Sequence, residues 1–321
     1  MVRAGQRRAP FEKQQQPVPP LWAVGAAMAG VAWLLAPRGV PWRIAGLALM
    51  APAFSIAPPA PAAGEAWITA LDVGQGLAVL VRTASRTLLY DAGPSYGAEA
   101  DSGGRIVAPL LRSAGIGSLD VMVLSHEDLD HLGGALTLLE TFEVHALESS
   151  LPASHALHAL VPGSSRCAAG RSWEWDGVRF EFLHPQPGWE AARRNNQSCV
   201  LRVAAGGASM LLTGDVERAA EAVLARNGAR ADVLLVPHHG SRTSSSAEFI
   251  AAVAPRWAVV PAGYRNRFGH PARDVLERYA AAGVRVLRTD RDGAVRVVLN
   301  AGSVGVEAER LRAPRYWRRS L

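Results

Sequence analysis

One short segment constrains this chain more than any other, because it places four metal-binding side chains directly after an apolar strand. The segment reads VMVLSHEDLDHLGG at 121–134, and its potential ligands are His126, Asp128, Asp130 and His131. A strand delivers the first ligand to the edge of a sheet, and the following turn can fold the others toward the same point. Imidazole nitrogens and carboxylate oxygens together suit Zn²⁺ or Mn²⁺. We therefore predict a divalent metal site here, against the alternative of a solvated polar loop.

The region around this segment alternates short strands with helices. After Glu65, apolar runs that are often β-branched are interrupted by glycine and by Asp-Gly pairs. The patterns predict strands at 67–72, 78–83, 87–91, 121–125, 144–148, 179–183, 199–204, 209–213, 233–236, 257–260, 285–287 and 295–299. They predict helices at 104–114, 135–142, 217–227, 247–253 and 272–282. This order predicts an α/β fold in which two sheets pack face to face with helices outside.

The amino-terminal region differs from the rest in composition. Two uncharged apolar runs, Leu21–Ala36 and Ile44–Ala57, follow a basic leader rich in Gln and Pro. Each run is shorter than the roughly 20 residues that a straight membrane-spanning helix needs. Trp22, Trp33 and Trp42 nevertheless flank the runs in the manner of interface anchors. We expect a tight helical hairpin in the membrane, with a buried soluble hairpin as the alternative.

These shifts in composition divide the chain into four parts. We predict a basic leader at 1–20, the membrane hairpin at 21–57, a Pro/Ala linker at 58–64, and one hydrolase domain with a basic tail at 65–321. The tail contains Arg310, Arg312, Arg315, Arg318 and Arg319, and such an end is usually solvated or faces a membrane.

Overall composition excludes a disordered chain and a disulfide-stapled miniprotein, since 49% of the 321 residues are hydrophobic and two are cysteines. Cys167 and Cys199 have neither ligand spacing nor a disulfide framework, so we expect a small packing pair that does not decide the compartment. The net charge is +6, and almost all of the positive charges are arginines because Lys13 is the only lysine. This surplus is compatible with contacts to phosphate but does not require them.

The segment SHEDLDHLGG resembles the HxHxDH signature of the metallo-β-lactamase superfamily, with Asp128 in place of the second histidine. Two later segments are similar to further motifs of that superfamily. MLLTGD at 210–215 places Asp215 where the superfamily has a metal-bridging carboxylate, and LLVPHHGS at 234–241 places His239 as its last ligand. The resemblance implies an αββα four-layer sandwich that binds two divalent metal ions.

Other segments are similar to the carboxy-terminal domain of the ComEC-type competence proteins, which are membrane proteins of DNA uptake. These segments are LDVGQG at 71–76, YDAG at 90–93, NNQSCVLRV at 195–203 and GYRNRFGHP at 263–271. The resemblance covers about residues 65–300. It implies single-stranded DNA, the inner membrane and the remainder of an uptake channel as partners, with the domain on the outer face.

The chain departs from the superfamily pattern at its metal ligands. The stretch RRNNQSC supplies Asn195 and Asn196 where a lone histidine ligand is usual, so the second metal position is expected to be more open. The carboxylate of Asp128 shifts the expected preference toward Mn²⁺ or Mg²⁺ without excluding Zn²⁺.

Several residues near the late motifs are candidates for contact with substrate. These residues are Ser241, Arg242, Arg265, Arg267 and His270. Arginines interleaved with Tyr264 and Phe268 suit a single-stranded backbone with stacked bases, although a polar turn with solvated arginines is the alternative. His270 either contacts a phosphate or caps the helix that follows. His238 either binds a substrate oxygen or supports its neighbour His239.

We predict a metal-dependent phosphodiesterase that cleaves DNA during natural transformation. Asp130 is expected to bind metal and to orient or deprotonate the attacking water, and His238 is the second catalytic candidate. A hydrolase of a small ester, thioester or lactam is the first alternative, because a fold does not determine a substrate. The other alternative is a catalytically idle module that binds DNA beside a channel.

Overall fold

The structure is a computed structural model that describes residues 19–37, 39–56, 58–97 and 99–313. The first 18 residues of the predicted leader and the part of the tail from 314 onward lie outside the described residues. The chain divides into two compact units. The smaller unit contains the described residues up to Pro59 together with Leu110–Ile116, and the larger unit contains Ala60–Pro109 and the residues from Gly117 onward.

The smaller unit contains two helices of apolar sequence that are joined by a short connection. Helix α1 spans Leu21–Leu34, and a short 3₁₀ turn at Arg43–Ala45 leads into helix α2 at Gly46–Ser55. The helices touch where both lack a side chain, because a Cβ atom on Gly30 would lie 2.4 Å from the carbonyl oxygen of Gly46. In the described part of the chain, no helix has the length and apolarity needed to cross a membrane.

The larger unit is built from two sheets. The described residues form β1 Ala66–Ala70, β2 Val79–Arg82, β3 Thr87–Tyr90, β4 Ser95–Gly97, β5 Ala100–Asp101, β6 Ser118–Leu124, β7 Glu143–Ser149, β8 Ser164–Arg166, β9 Ser172–Trp175, β10 Val178–His184, β11 Val200–Ala205, β12 Ala208–Leu212, β13 Val233–Leu235, β14 Trp257–Val260, β15 Arg285–Arg288, β16 Val295–Asn300 and β17 Ser303–Ala308. The first sheet has the order β17-β16-β1-β2-β3-β6-β7-β8, and the second has the order β15-β14-β13-β12-β11-β10-β9. Strands β4 and β5 form a separate small ribbon.

Short helices connect these strands. The remaining α-helices are α3 Ala108–Ser113, α4 Leu129–Leu132, α5 Ala135–Thr141, α6 Arg218–Arg226, α7 Ala247–Val253, α8 Arg273–Ala281, α9 Thr289–Asp292 and α10 Glu309–Arg312. Helix α5 joins the parallel neighbours β6 and β7, which places it across the outer face of the first sheet. Helices α6, α7 and α8 pack on the outer face of the second sheet through side chains such as Leu224, Phe249 and Val275.

The main core lies between the two sheets. Ile68, Val79 and Tyr90 of the first sheet pack in one buried cluster with Phe180 and Leu201 of the second. Alternate residues of β12 face different layers, since Met210 and Leu212 join this cluster while Leu211 packs under the helices. The predicted mixed α/β architecture with two facing sheets is confirmed.

Most differences between predicted and observed elements lie at sheet edges. The sequence patterns missed β4, β5, β8, β9 and β17, which are short or carry alternating exposed residues. Strand β17 reads SVGVEA, and among the described residues it pairs with β16 alone at the end of the first sheet. Most of its side chains are not buried, so its hydrophobic pattern is too weak to identify it from the sequence. The helix predicted at 104–114 begins as a π-helical turn at Gly103–Val107 and continues as α3.

Cys167 and Cys199 form a disulfide bond, which goes beyond the predicted packing pair. Cys167 follows β8 of the first sheet and Cys199 precedes β11 of the second, so the bond joins the two sheets covalently. The two residues are 32 positions apart in sequence, and the facing sheets bring their Cα atoms to 5.9 Å. That distance is a tertiary property that spacing alone does not reveal.

Candidate metal centre

Three strand ends deliver the potential ligands to one place. Strand β6 ends at Leu124, two residues before His126, and its continuation turns into α4, which carries Asp130 and His131. Strand β12 ends shortly before Asp215, and His239 lies in the 3₁₀ turn Pro237–Gly240 that follows β13. The ends of these strands from both sheets therefore form the floor of the site.

A glycine permits the close approach of the segment that carries Asp215. Gly214 has φ +55°, and a Cβ atom there would lie 2.9 Å from the Cβ atoms of Ser125 and Ser198. Ser198 Oγ accepts a hydrogen bond from the backbone N–H of Asp215 at 3.1 Å. A side chain at position 214 would push this segment away from Ser125 and from the adjoining His126.

Four of the six predicted ligands form a tight cluster. Asp130, His131, Asp215 and His239 each offer one ligand atom, and these atoms lie within 4.8 Å of one another. His131 Nε2 is 3.1 Å from Asp215 Oδ1, and His239 Nε2 is 3.2 Å from Asp130 Oδ2. Asp215 and both histidines are buried, while Asp130 is partly exposed. The cluster is thus closed on the protein side and open at Asp130.

The other two predicted ligands form a neighbouring pair. His126 Nε2 lies 3.5 Å from Asp128 Oδ2, and the His126 ring centroid is 4.2 Å from that of His131. His126 is buried, and its Nε2 atom has no hydrogen-bond partner among the described residues. Asp128 is exposed to solvent through 40% of its side chain. This pair is more open than the cluster of four.

The donor set fits divalent metal ions. Asp91 and the carbonyl of Pro261 accept hydrogen bonds from the Nδ1 atoms of His131 and His239, both at 2.7 Å, which turns each Nε2 atom toward the cluster. Such outer hydrogen bonds are typical of metal-binding histidines, because they set the tautomer and the ring orientation. The buried and unpartnered Nε2 of His126 provides a further donor. We conclude that the residues present suit one closely held ion and a second, more open position.

The charges of the cluster also favour binding of a divalent cation. Burial alone lowers the pKa of His131, but the carboxylates of Asp215 and Asp91 outweigh burial and raise it well above its usual range. Burial raises the pKa of Asp130, yet the hydrogen bond from His239 and the nearby imidazole charges lower it to about 2. The acids are therefore ionised at neutral pH, and a divalent cation that binds here displaces protons from the imidazoles.

The chain is similar in sequence to known proteins. The sequence profile of the metallo-beta-lactamase superfamily matches residues 71–264. The chain belongs to this superfamily. Competence protein ComA of Neisseria gonorrhoeae is 41% identical over 306 residues, which are 94% of this chain and 42% of that protein. Recombination protein 2 of Haemophilus influenzae is 37% identical over 234 residues, which are 72% of this chain and 28% of that protein.

The chain therefore spans less than half of the length of these curated relatives. Among solved structures, the metallo-beta-lactamase fold protein YhfI from Bacillus subtilis covers 72% of this chain and 99% of its own length. The two are 12% identical and superpose with a TM-score of 0.48.

The predicted departure from the superfamily at the lone histidine has a structural counterpart. Asn195 lies outside the cluster, with its Nδ2 atom 3.5 Å from His238. Asn196 supports the backbone instead, since its Oδ1 accepts hydrogen bonds from the N–H groups of Glu217 and Ala220. His238 lies beside the cluster rather than in it, with its Nε2 atom 3.7 Å from Asp215 Oδ2.

The predicted substrate residues fall into two groups. Ser241 is buried with its hydroxyl 3.1 Å from Thr243 Oγ1, and Arg242 is largely exposed with Nε 3.3 Å from Asp274. His270 lies closer to the cluster, with its ring centroid 5.8 Å from His238 and 6.4 Å from His239. It does not cap the next helix, because Ala272 is the N-cap residue of α8.

Arg265 and Arg267 lie on the loop before His270. The Arg265 guanidinium lies over the ring of Tyr264, 5.2 Å from its centroid. The Arg267 guanidinium lies over the ring of Phe268, 4.9 Å from its centroid.

Burial, followed by the charges of His239 and His238, lowers the pKa of His270 to about 4, so the His270 ring is neutral at neutral pH.

The remaining histidines lie away from the cluster. His145 contacts Glu143 on the surface, His155 accepts the backbone N–H of Leu157, and His158 bonds to Ser164. His184 lies at the end of β10. It is buried and donates through Nε2 to the carbonyl oxygen of Asn196 at 2.8 Å.

Asp91 is a site residue that the sequence reasoning did not single out. Its carboxylate accepts hydrogen bonds from the N–H and the hydroxyl of Ser125, both at 2.6 Å, and from His131. The available signal was its place in YDAG at the end of β3, in the same position relative to a strand as the ligands. The side chain acts through His131 and is a positioning residue.

We expect Asp91→Asn to weaken metal binding about 10- to 100-fold, because asparagine cannot supply the negative charge that orients His131. Asparagine tolerates the φ of +58° at this position, so the backbone should be retained. Competition with a chromogenic chelator measures the affinity. Asp176→Asn is the matched control, since Asp176 also has positive φ but accepts hydrogen bonds from Thr83 and Ser85. Equal affinity in the two variants would contradict this role.

Proposed function

We propose that the protein is a metal-dependent phosphodiesterase that cleaves DNA. The observation that carries the proposal is a series of stacked rings that runs from the surface to the metal cluster. The exposed ring of Phe268 stacks on His270 at 5.7 Å with an interplanar angle of 22°, and His270 stacks on His239 at 6.4 Å with 17°. A superfamily metal centre at the end of such a series suits a substrate with flat bases and a phosphate backbone.

Arginines accompany the ring series where a backbone would run. Arg265 and Arg267 lie over Tyr264 and Phe268, so each cation is held beside an exposed aromatic surface. Guanidinium groups in this arrangement can pair with phosphates while the rings stack on bases. A lactam or thioester substrate requires neither feature, and this favours a nucleic acid over a small ester.

The chain's own residues have distinct roles in this proposal. Divalent ions at the cluster would supply Lewis acidity at the scissile phosphate and lower the pKa of an attacking water. Asp130 is the partly exposed acid of the cluster, so it can orient that water and accept its proton. His238 Nδ1 lies 3.1 Å from the hydroxyl of Thr243. When that hydroxyl donates to Nδ1, the ring carries its proton on Nε2 and can donate it to a substrate oxygen beside Asp215.

The names of the relatives support a role in DNA uptake, and the resemblance to ComEC-type proteins carries the same proposal for this chain. The disulfide between Cys167 and Cys199 supports an oxidising location, which is the outer face of the inner membrane in this proposal. Single-stranded DNA, the membrane and the rest of an uptake channel are the proposed partners. Mn²⁺ or Zn²⁺ is the proposed cofactor pair, with Mg²⁺ as a third choice.

The test compares two substrates with the purified full chain. We expect Mn²⁺ or Zn²⁺ to stimulate cleavage of single-stranded DNA but not of a thioester, and we expect Asp130→Ala to abolish that cleavage. Glu140→Ala removes an exposed acid from the nearby helix α5 and should leave cleavage unchanged. Thioester turnover without DNA cleavage would favour a small-ester hydrolase. Bound metal without turnover of either substrate would favour an idle DNA-binding module.

A further inference from the structure

A cleft opens next to His238, beyond the residues that form the metal cluster. It has a volume of about 630 Å³, and its lining includes Trp189, Arg193, Glu217, Arg218, Arg242 and Thr243. Two of these residues contact His238, since Thr243 Oγ1 and Glu217 Oε1 lie 3.1 Å and 3.5 Å from its Nδ1 atom. Because His238 Nε2 is near Asp215, one side chain separates the cleft from the cluster.

Trp189 is a preorganised aromatic wall of this cleft. Its Nε1 donates a 2.8 Å hydrogen bond to the carbonyl oxygen of Asn196, which also accepts from His184. The indole and the His184 ring form a T-shaped pair with a centroid distance of 5.0 Å and an interplanar angle of 73°. The half-buried ring is therefore held from its edge, and a flat ligand can stack on it without ordering it first.

The rim of the cleft combines this ring with exposed positive charge. Arg193 and Arg242 expose 68% and 79% of their side chains, and Arg218 is exposed as well. Arg193 neutralises the buried Glu217 at 2.9 Å, and Arg242 pairs with Asp274 outside the cleft lining at 3.3 Å. Exposed Glu190 is a further acid that lines the cleft. A ligand with one flat apolar face and flanking negative groups matches this lining better than a peptide does.

Resting on the proposed cleavage of DNA, we propose that this cleft binds an unstacked base next to the scissile phosphate, with Trp189 as its stacking surface. Arg218 and Arg242 contact the flanking phosphates. In a duplex both faces of a base are covered by its neighbours, so only a single strand or a frayed end can place a base on the indole. The cleft thereby makes single-stranded DNA the preferred substrate.

The test measures binding and cleavage in Trp189→Ala, Trp189→Phe and the control Trp67→Ala. Trp67 is also half-buried beside an arginine: it lies on β1 between β16 and β2, with the Arg296 guanidinium 5.2 Å from its ring centroid. We expect Trp189→Ala to weaken binding of a fluorescein-labelled oligothymidylate in EDTA by about 5- to 150-fold. Trp189→Phe should recover most of that loss, and Trp67→Ala should bind like the wild type.

Cleavage gives the second measurement. In Trp189→Ala, kcat/KM for single-stranded DNA should fall much more than kcat/KM for bis(p-nitrophenyl) phosphate, which is a phosphodiester without a base. Equal losses for both substrates, a Trp189→Phe variant as weak as Trp189→Ala, or equal sensitivity of duplex binding would each overturn the cleft proposal.

The two proposals fail in different ways. A wild type that cleaves neither phosphodiester overturns the proposed function, and the oligonucleotide binding of Trp189→Ala still tests the cleft. A wild type that cleaves DNA while Trp189→Ala behaves like Trp67→Ala overturns the cleft and leaves the proposed function intact. Displacement of the oligonucleotide by a poly-glutamate peptide at equal charge would show a general anion site and also overturn the cleft proposal.

Discussion

Asp215→Asn is expected to remove bound metal and to lower kcat/KM for phosphodiester cleavage by more than about 100-fold, because even residues that only support metal ligands cost 10- to 100-fold. Asp215 is buried and lies 3.1 Å from His131 and 3.5 Å from His239. Burial raises its pKa, but the charges of these imidazoles hold the pKa well below its usual range. Asparagine keeps the shape of the side chain and removes the charge that a cation needs.

Elemental analysis of the purified variant and its kinetics on bis(p-nitrophenyl) phosphate measure the two effects. Asp232→Asn is the matched control, because Asp232 lies directly before β13 and its carboxylate accepts a hydrogen bond from the Ser209 N–H at 2.9 Å. We expect this control to retain metal and activity. Retention of a full complement of metal by Asp215→Asn would show that the cluster is not the metal site.

Loss of the disulfide is expected to lower the free energy of unfolding by about 3 to 4 kcal/mol, the amount that chain entropy gives for a loop of this size. The bond closes a separation of 32 residues and joins the two sheets. The disulfide is also connected to the metal centre by a hydrogen bond. The N–H of Cys199 donates to the carbonyl oxygen of Ser125, the residue before His126, at 3.0 Å. The Cys199 carbonyl accepts the hydroxyl of Tyr90 at 2.5 Å.

Urea denaturation of Cys167→Ala, Cys199→Ala and the double variant measures this loss. Either single variant already breaks the bond, so each should lose nearly as much stability as the double variant. The wild type in reductant should resemble them. Losses that add in the double variant would show that the two side chains stabilise the fold independently, without a shared bond.

Much of the metal centre could be predicted from the sequence because its ligands follow strands and lie close together along the chain. His126, Asp128, Asp130 and His131 occur within six residues, and the strand before them is strongly apolar. The later ligands Asp215 and His239 were inferred from family resemblance, since a single acid or histidine after a strand carries little information by itself. The observed geometry brings four of these six residues into one cluster and keeps His126 and Asp128 as a neighbouring pair.

Edge strands and supporting residues were harder to predict, for reasons of burial and distance. Strand β9 reads SWEW with alternating exposure, so its hydrophobic pattern is too short to separate it from a loop. Asp91 supports His131 from 40 residues away, and no local pattern connects the two. The expectation of a membrane hairpin came from composition, and the observed helices α1 and α2 have 14 and 10 residues.

By itself, the sequence determined the mixed α/β architecture, the apolar strands and the identity of the ligand-bearing segment, because these depend on residues that are neighbours along the chain. Tertiary structure alone decided which ligands share a site, that Asp91 orients His131, that Cys167 and Cys199 are bonded, and that a cleft walled by Trp189 lies beside His238. These features depend on the packing of two sheets and the convergence of their strand ends. Such packing sets distances between residues that the linear order leaves undetermined.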